Sequence, residues 1–292
     1  MEDVKGFLPK LTDDGSSTFF SAEFGESFHS YHGARQEAEL KFVEPTRLAQ
    51  TARKPSLRLL DICYGLGYNT AAALATIWAI NPNCCVEVVG LEINPVVPQA
   101  AIAHHLLSYW NPDYTRLLTQ LATEHQVHTD RLQATLLIGD ARAMIGLLHQ
   151  SGFQADAIFL DPFSPPNCPQ LWTIEFLERV AKCLHQDGIL ATYSCAAAVR
   201  TALMASGLQI GSTPPVGRRA PGTVTSWVAT DLPLLSWQEQ EHLLTRAAIP
   251  YRDPHLNDTA DAILHRRLRE QQNSSLEPTS HWRKRTRLKA KK

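Results

Sequence analysis

The chain has 292 residues, 44% of them hydrophobic and 20% charged, a composition that excludes disordered, collagen-like and disulfide-scaffold classes and leaves a folded globular protein. No run of eighteen apolar residues occurs, which excludes a transmembrane helix, and the polar start Met1-Glu2-Asp3-Val4-Lys5 has no apolar stretch of a secretory signal, so a cytoplasmic location is expected. The formal net charge of −1 is uneven: residues 281–292 hold seven of the 28 Lys and Arg and no acid, which leaves a mildly acidic body with a basic, mobile tail.

Residues 1–56 carry a turn signal at Asp13-Asp14-Gly15-Ser16, a short strand-like run, and then an aromatic-rich stretch from Phe24 to Tyr31. They predict an N-terminal hairpin, followed by a helix over 34–48 broken at Pro45. The hairpin either caps the sheet or forms a lid that brings Tyr31 or His32 over a ligand. Residues 57–230 alternate strand and helix patterns, which implies a mostly parallel sheet. The strands are expected at 57–61, 86–91, 134–139, 157–160, 188–193, 208–212 and 223–229, with helices at 69–80, 96–108, 115–125, 141–150, 171–184 and 197–206. The last two strands are joined by a Pro/Gly loop without a helix and are expected to pair antiparallel. Residues 231–292 change character: amphipathic helices over 235–247 and 258–270 precede the basic end. The six cysteines, Cys63, Cys84, Cys85, Cys168, Cys183 and Cys195, include no C-x-x-C pair, which favours reduced thiols over disulfides or zinc. No metal is expected.

The chemistry is read at strand ends. Asp61-Ile62-Cys63-Tyr64-Gly65-Leu66-Gly67-Tyr68-Asn69-Thr70 joins a buried strand to an alanine-rich helix through a glycine turn. Such a turn presents backbone N–H groups and a helix N-terminus to a ligand. A dinucleotide fingerprint would place a third glycine where Thr70 stands, and the Gly-Lys-Ser/Thr of a phosphate-binding loop is absent. Asp61 would repel a pyrophosphate but attract a sulfonium or ammonium. Glu92 ends the second strand, where a carboxylate can accept both hydroxyls of a ribose; as a strand-end acid it is expected not to be deeply buried. Asp140-Ala141 follows the third and can meet an adenine, or Asp140 can cap the next helix. Asp161-Pro162-Phe163-Ser164-Pro165-Pro166 follows the fourth: a stiff loop in which Asp161 can accept from an amine, the loop carbonyls can face the same space, and Phe163 offers a face to a flat substrate.

The motif around Gly65 and Gly67, the Asp161-Pro162-Phe163-Ser164-Pro165 loop and the following Leu171-Trp172 together resemble the MnmC-type tRNA methyltransferases. Ala191-Thr192-Tyr193, Val199-Arg200 and Gly217-Arg218-Arg219 extend the resemblance, which covers about residues 12–230. One departure is Ala220-Pro221-Gly222, where the family carries an acidic residue and a methionine. The resemblance implies a Rossmann-like class I α/β fold with a seven-stranded sheet, an N-terminal lid (1–56), a methyltransferase domain (57–230) and a helical extension (231–292). It implies S-adenosylmethionine as cofactor, held by Asp61, Tyr64, Gly65, Gly67, Asn69, Glu92, Asp140 and Ala141. It implies catalysis at Asp161, Pro162 and Phe163, and tRNA contacts at Tyr31, His32, Trp172, Arg218 and Arg219. The implied reaction is methylation of the 5-aminomethyl group of a wobble uridine, without the FAD-dependent oxidase domain of bifunctional members. The competing readings are a polyamine synthase-like aminopropyl transferase and a catalytically inert tRNA-binding protein.

Overall fold

The computed structural model describes residues 6–217, 220–229 and 231–289. The N-terminal segment folds as two minimal hairpins: β1 (Lys10–Leu11) pairs with β2 (Ser17–Thr18), and β3 (Phe20–Ser21) with β4 (Glu26–Ser27). Asp14 organises the first turn, accepting from Thr12, from the Ser16 backbone and hydroxyl, and from the backbone N–H of Gln36 at 2.9 Å. The helix expected over 34–48 is instead α1 (Ala34–Glu37), a π-helical stretch (Ala38–Val43) and, after a turn, α2 (Leu48–Thr51). Widening to i→i+5 hydrogen bonds turns consecutive side chains by less, and π segments of this kind tend to lie at functional sites.

The core is an eight-stranded sheet with the order β11-β12-β10-β9-β5-β6-β8-β7. Its strands are β5 (Ser56–Ile62), β6 (Cys85–Glu92), β7 (Gln126–His128), β8 (Leu132–Ile138), β9 (Ala155–Leu160), β10 (Leu184–Thr192), β11 (Gln209–Thr213) and β12 (Gly222–Ser226). The crossovers carry α3 (Tyr68–Ile80), α4 (Val96–Ala103), α5 (Pro112–Glu124), α6 (Ala141–Gln150), α7 (Ile174–Lys182) and α8 (Ala197–Ala205). The central strands are parallel, and β11 and β12 form the expected antiparallel end. The expected seven strands gain an eighth, β7, antiparallel to β8. Along β5 the period of two sorts Leu57 and Leu59 to one face of the sheet and Leu60 and Ile62 to the other, so a separate apolar layer forms on each side. β5 lies between β6 and β9, so the chain leaves it in both directions. This is the switch point at whose carboxyl edge a crevice opens.

Residues beyond the sheet add α9 (Trp237–His242), α10 (Ala260–Asn273) and α11 (Thr279–Lys289). The long helix expected over 235–247 stops after six residues and resumes as a 3-10 turn (Arg246–Ala248). The tail expected to be mobile is helical as far as Lys289: Trp282 stacks on His242 at 4.6 Å, and Arg285 pairs with Glu241 and Glu277 at 2.9 and 3.0 Å. Arg200 of α8, 2% exposed, anchors this extension through Glu239 at 2.8 Å and also binds Thr223 and the Gly222 carbonyl. Burial pushes the Glu239 carboxyl up, but hydrogen bonds from Ser212, Ser236 and Arg200 outweigh it and hold its pKa at about 2.

Because the folded pKa is depressed, the stabilisation from Glu239 is complete above the ordinary carboxylate range and is lost as pH falls towards about 2. Glu239→Gln is therefore expected to cost about 2 kcal/mol at pH 7, below the full cost of breaking a buried pair because the carboxylate retains some water contact. The gap between wild type and variant in urea unfolding should narrow between about pH 4.5 and about pH 2.5. A gap that does not change with pH would show that the charge of Glu239 contributes nothing.

Candidate active site

The turn after β5 is wound by three left-handed residues: Cys63 at φ 65°, Gly65 at 56° and Gly67 at 83°. Gly67 begins α3, and a Cβ there would lie 2.7 Å from the Tyr64 hydroxyl, so glycine is required on both backbone and steric grounds. The Tyr64 N–H is tied to the Leu91 carbonyl at 2.9 Å. The Gly65 N–H donates to Glu92 Oε2 at 2.8 Å, and the other Glu92 oxygen accepts from the Asn94 N–H at 2.8 Å. Glu92 therefore clamps the turn after β5 to the turn after β6. It is 7% exposed, not the surface acid its strand-end position suggested, and burial raises its pKa despite those N–H donors.

Asp61 is fully buried and faces α3 instead of the crevice. Its Oδ2 accepts from Thr70 Oγ1 at 2.7 Å, and its Oδ1 has no hydrogen-bond partner. Burial lifts its pKa to about 7, with Glu92 adding repulsion. Asp61 and Gly67 are absent from the cavity wall, whereas Tyr64, Gly65, Asn69, Glu92, Asp140, Ala141, Asp161, Pro162 and Phe163 all line one cavity of about 700 Å³. Tyr31 and His32 border the same cavity and are exposed.

Asp161 is held by its own N–H on the Ile62 carbonyl at 3.1 Å, and its Oδ2 accepts from Asn69 Nδ2 at 3.0 Å. Burial drives its pKa well above the carboxylate range, and the Asn69 hydrogen bond offsets only part of this. The rest of the loop differs from expectation. The Pro162 carbonyl accepts from the Tyr193 hydroxyl at 2.9 Å and the Phe163 carbonyl from Trp172 Nε1 at 2.8 Å, so both are occupied within the protein. Trp172 is 0% exposed and braces this loop; it cannot touch RNA from that position. The Phe163 ring stacks on Phe24 at 4.5 Å, so the face expected for a flat substrate is covered by the N-terminal segment. Asp140 caps α6 through the Arg142 N–H at 2.9 Å and also receives the Arg142 guanidinium at 2.7 Å. Burial raises its pKa, but the Arg142 bonds win and lower it.

Several residues of the site gave no sequence signal. Glu26 of β4 reaches across to accept from the Ser164 N–H at 2.9 Å, the Ser164 hydroxyl and Asn167 Nδ2 at 2.9 Å, latching the hairpin to the Asp161 loop. Glu37 and Lys41, a buried pair at 2.9 Å, line the cavity beside Ser30 and His29. At i and i+4 they read as an ordinary helix-surface pair. Burial depresses the His29 pKa to about 4, so the ring is neutral. The density of Phe24, Phe28 and Tyr31 was the one available clue to the lid. Arg218 and Arg219 lie outside the described residues. Gly217, just before them, packs so closely on His32 that a Cβ would approach its Cβ to 2.6 Å, which places Gly217 beside a residue of the cavity rim. Among the described residues no three His, Cys, Asp or Glu side chains are grouped to hold a metal.

The pieces fit an adenosyl cofactor: a glycine turn whose Gly65 lines the cavity, a clamped acid after the second strand, and a buried Asn69 Oδ1 with no hydrogen-bond partner. Residues 104–227 match the model of a family of S-adenosyl-L-methionine-dependent methyltransferases. An uncharacterized protein of Methanocaldococcus jannaschii is 31% identical over 262 residues, 87% of this chain and 69% of that protein. The bifunctional tRNA 5-methylaminomethyl-2-thiouridine biosynthesis protein MnmC of an Acidovorax strain is 32% identical over 70% of this chain, which spans only about 33% of that longer relative. The crystal structure of MnmC2 from Aquifex aeolicus superposes with a TM-score of 0.80 at 33% identity, covering 92% of this chain and 86% of that one. The chain therefore belongs to the MnmC-type methyltransferases, Rossmann-like enzymes that take S-adenosyl-L-methionine as their cofactor.

Proposed function

We propose that the protein methylates the amino nitrogen of a 5-aminomethyl group on the wobble uridine of tRNA, giving the 5-methylaminomethyl product, in the cytoplasm. The observation that carries the reading is Asp161: a carboxylate in the cavity wall, fixed by Asn69 and shifted by burial towards a higher proton affinity. The names of the relatives support methyl transfer to a tRNA nucleoside over aminopropyl transfer or inert RNA binding.

In this reading the turn at Gly65 would hold the cofactor, Glu92 would accept from its ribose, and Asp140 and Ala141 would meet its adenine. S-adenosylmethionine supplies a methyl group on a sulfonium, which leaves as a neutral thioether. A primary aliphatic amine is mostly protonated near neutral pH and then has no lone pair for the methyl carbon. Asp161 accepts the surplus proton or an N–H, and leaves the nitrogen lone pair aimed at the methyl. A raised pKa suits a group that must take a proton near neutral pH. Asn69 orients Asp161, and the Pro162–Phe163 backbone, pinned by Tyr193 and Trp172, holds the loop. Most of the acceleration comes from alignment of nitrogen, carbon and sulfur. The N-terminal segment acts as the lid, and Tyr31 and His32 at the cavity rim serve as tRNA contacts, with Arg218 and Arg219 as the further contacts that the family resemblance implies.

Wobble nucleosides from cells lacking the protein are expected to accumulate the unmethylated aminomethyl form by mass spectrometry; an unchanged nucleoside profile would refute the substrate. Glu92→Gln removes one of the two acceptor oxygens of the clamp and sets an NH2 against a backbone N–H. It is expected to weaken cofactor binding by about 1–3 kcal/mol and to lower the melting temperature as well. Calorimetric binding equal to wild type would reduce Glu92 to a structural clamp.

Asp161→Ala is expected to slow single-turnover methylation by about 10²–10⁴-fold while leaving cofactor affinity nearly intact. Asp161→Asn should fall between the two. Since the raised Asp161 pKa means the group is protonated first on acidification, the wild-type rate should fall as pH drops, and raising pH should partly rescue both variants as free amine becomes available. A wild-type rate in Asp161→Ala at neutral pH would make Asp161 a turn residue. Truncation of residues 281–292 should weaken tRNA binding and flatten its salt dependence by fewer than the seven charges removed, because Arg285 already pairs with Glu241 and Glu277. Identical salt slopes would remove the C-terminal end from the RNA interface.

A further inference from the structure

We infer that Asp253, in the C-terminal extension and outside the cavity wall, is a positioning residue for the cofactor: it holds the Arg142 guanidinium so that Arg142 fixes Asp140 at the adenine end of the cavity. The inference rests on the reading that Asp140 faces the adenine.

Arg142 lies between two carboxylates. Its Nε and Nη2 reach Asp140 at 3.1 and 2.7 Å, while Nη1 donates to Asp253 Oδ2 at 2.8 Å and to the Asp258 carbonyl at 2.9 Å. A guanidinium is rigid and planar, so fixing Nη1 fixes the plane of the fork offered to Asp140. Asp140 and Arg142 both line the cavity; Asp253 does not.

Asp253 is itself over-determined. It is 0% exposed, its other oxygen accepts from the Asn257 and Asp258 N–H groups at 3.1 Å each, and its own N–H donates to Glu175 Oε2 at 2.8 Å. The next link outward is Arg266 of α10, bound to Asp258 at 2.6 Å. This chain of contacts starts on a helix of the extension and ends on the residue that caps α6. A buried ion is a poor choice if the only task is to attach the extension, since apolar residues of equal volume attach at least as well. A directional task accounts for it: a carboxylate specifies where the guanidinium points. Arg142 also neutralises Asp140, so a neutral adenine amino group meets a compensated carboxylate and not a bare charge. The carboxylate retains lone-pair capacity for one further donor.

The test compares S-adenosylhomocysteine with its deaminated analogue, in which oxygen replaces the 6-amino group, by calorimetry on full-length wild type, Asp253→Asn and Arg142→Lys, with thermal unfolding in parallel. Wild type is expected to prefer S-adenosylhomocysteine. Both variants are expected to bind it about tenfold more weakly and to lose most of that preference, because a displaced Asp140 no longer reads the amino group. Arg142→Lys keeps the charge but loses the fork, so it decides the matter if Asp253→Asn does not fold. Wild-type affinity in a folded variant overturns the inference, and so does weakened affinity with the preference intact, which is general loosening. If wild type itself shows no preference, the adenine reading of Asp140 fails and takes the inference with it. That outcome is distinct from a wild type that discriminates beside variants that still do.

Discussion

Three carboxylates at one sheet edge, two of them buried and the third half-buried, set the terms for the rest of this structure. Asp61, Glu92 and Asp161 stand at or just after the carboxyl ends of β5, β6 and β9, and the strand order makes those ends neighbours. Burying ionised groups together is costly, and each must find donors or take up a proton. The three differ in how this is met. Glu92 receives backbone N–H groups from two turns, Asp61 receives one hydroxyl and keeps an oxygen with no partner, and Asp161 has the Asn69 amide. The turn geometry at Gly65, the position of Asn69 at the head of α3 and the bond from Thr70 all serve these acids as much as they would serve a ligand. Under the proposed reading, ligand and folding roles are consequently hard to separate at Glu92, and easier to separate at Asp161, whose side chain touches fewer structural groups.

The lid follows from the same edge. A crevice lined by buried acids stays poorly hydrated only if something covers it, and the N-terminal segment does so with aromatic rings and one carboxylate. Glu26 takes up the Ser164 N–H that a Pro-rich loop leaves without a ladder partner, and Phe24 covers Phe163. Both contacts bind the lid to the Asp161 loop and not to the glycine turn. The same segment also reaches the head of α3, where the Tyr68 hydroxyl donates to the Ser17 carbonyl at 2.9 Å, so under the proposed reading opening the lid disturbs both the catalytic loop and the cofactor site.

The strands at 57–61, 86–91 and 157–160 were legible because parallel strands covered on both faces read as continuous apolar runs, and their ends then placed Asp61, Glu92 and Asp161 on one edge. The eighth strand was not legible: β7 is three residues long with only Val127 buried, too short for any periodicity. Nor was the π-helical turn, whose residues Ala38 to Val43 have ordinary helical character and whose widened path depends on packing against α3 and β10. At the site, the acids could be found but not their partners. Asp61 points at Thr70 and not into the crevice because the glycine turn brings the first turn of α3 back to it, with the Thr70 hydroxyl at 2.7 Å. The resemblance implied that Trp172 touches RNA; in the fold its ring is buried in the apolar layer and its N–H secures the Phe163 carbonyl. Asp140 serves its local role as a cap, as its position before α6 allows, and gains Arg142 and through it Asp253 from more than a hundred residues away.

The charge balance at the amine end follows from the π-helical turn. Glu37 and Lys41 are both buried in the cavity wall, and Glu37 also accepts from Ser30, so this carboxylate is compensated and its pKa falls, burial notwithstanding. His29 beside it is neutral. Asp161 beside them has the Asn69 amide as its hydrogen-bond donor, and it faces the repulsion of Glu37 and Asp61 with only partial relief from Lys41. An incoming ammonium would be drawn to Asp161 and, once there, would share its proton with a carboxylate of raised proton affinity. Proton transfer before methyl transfer then lets a neutral amine and a neutral acid occupy the cavity in place of a buried ion pair. The Glu37–Lys41 pair is closed on itself, and under the proposed reading its internal charge balance leaves Asp161 as the acceptor for the substrate nitrogen.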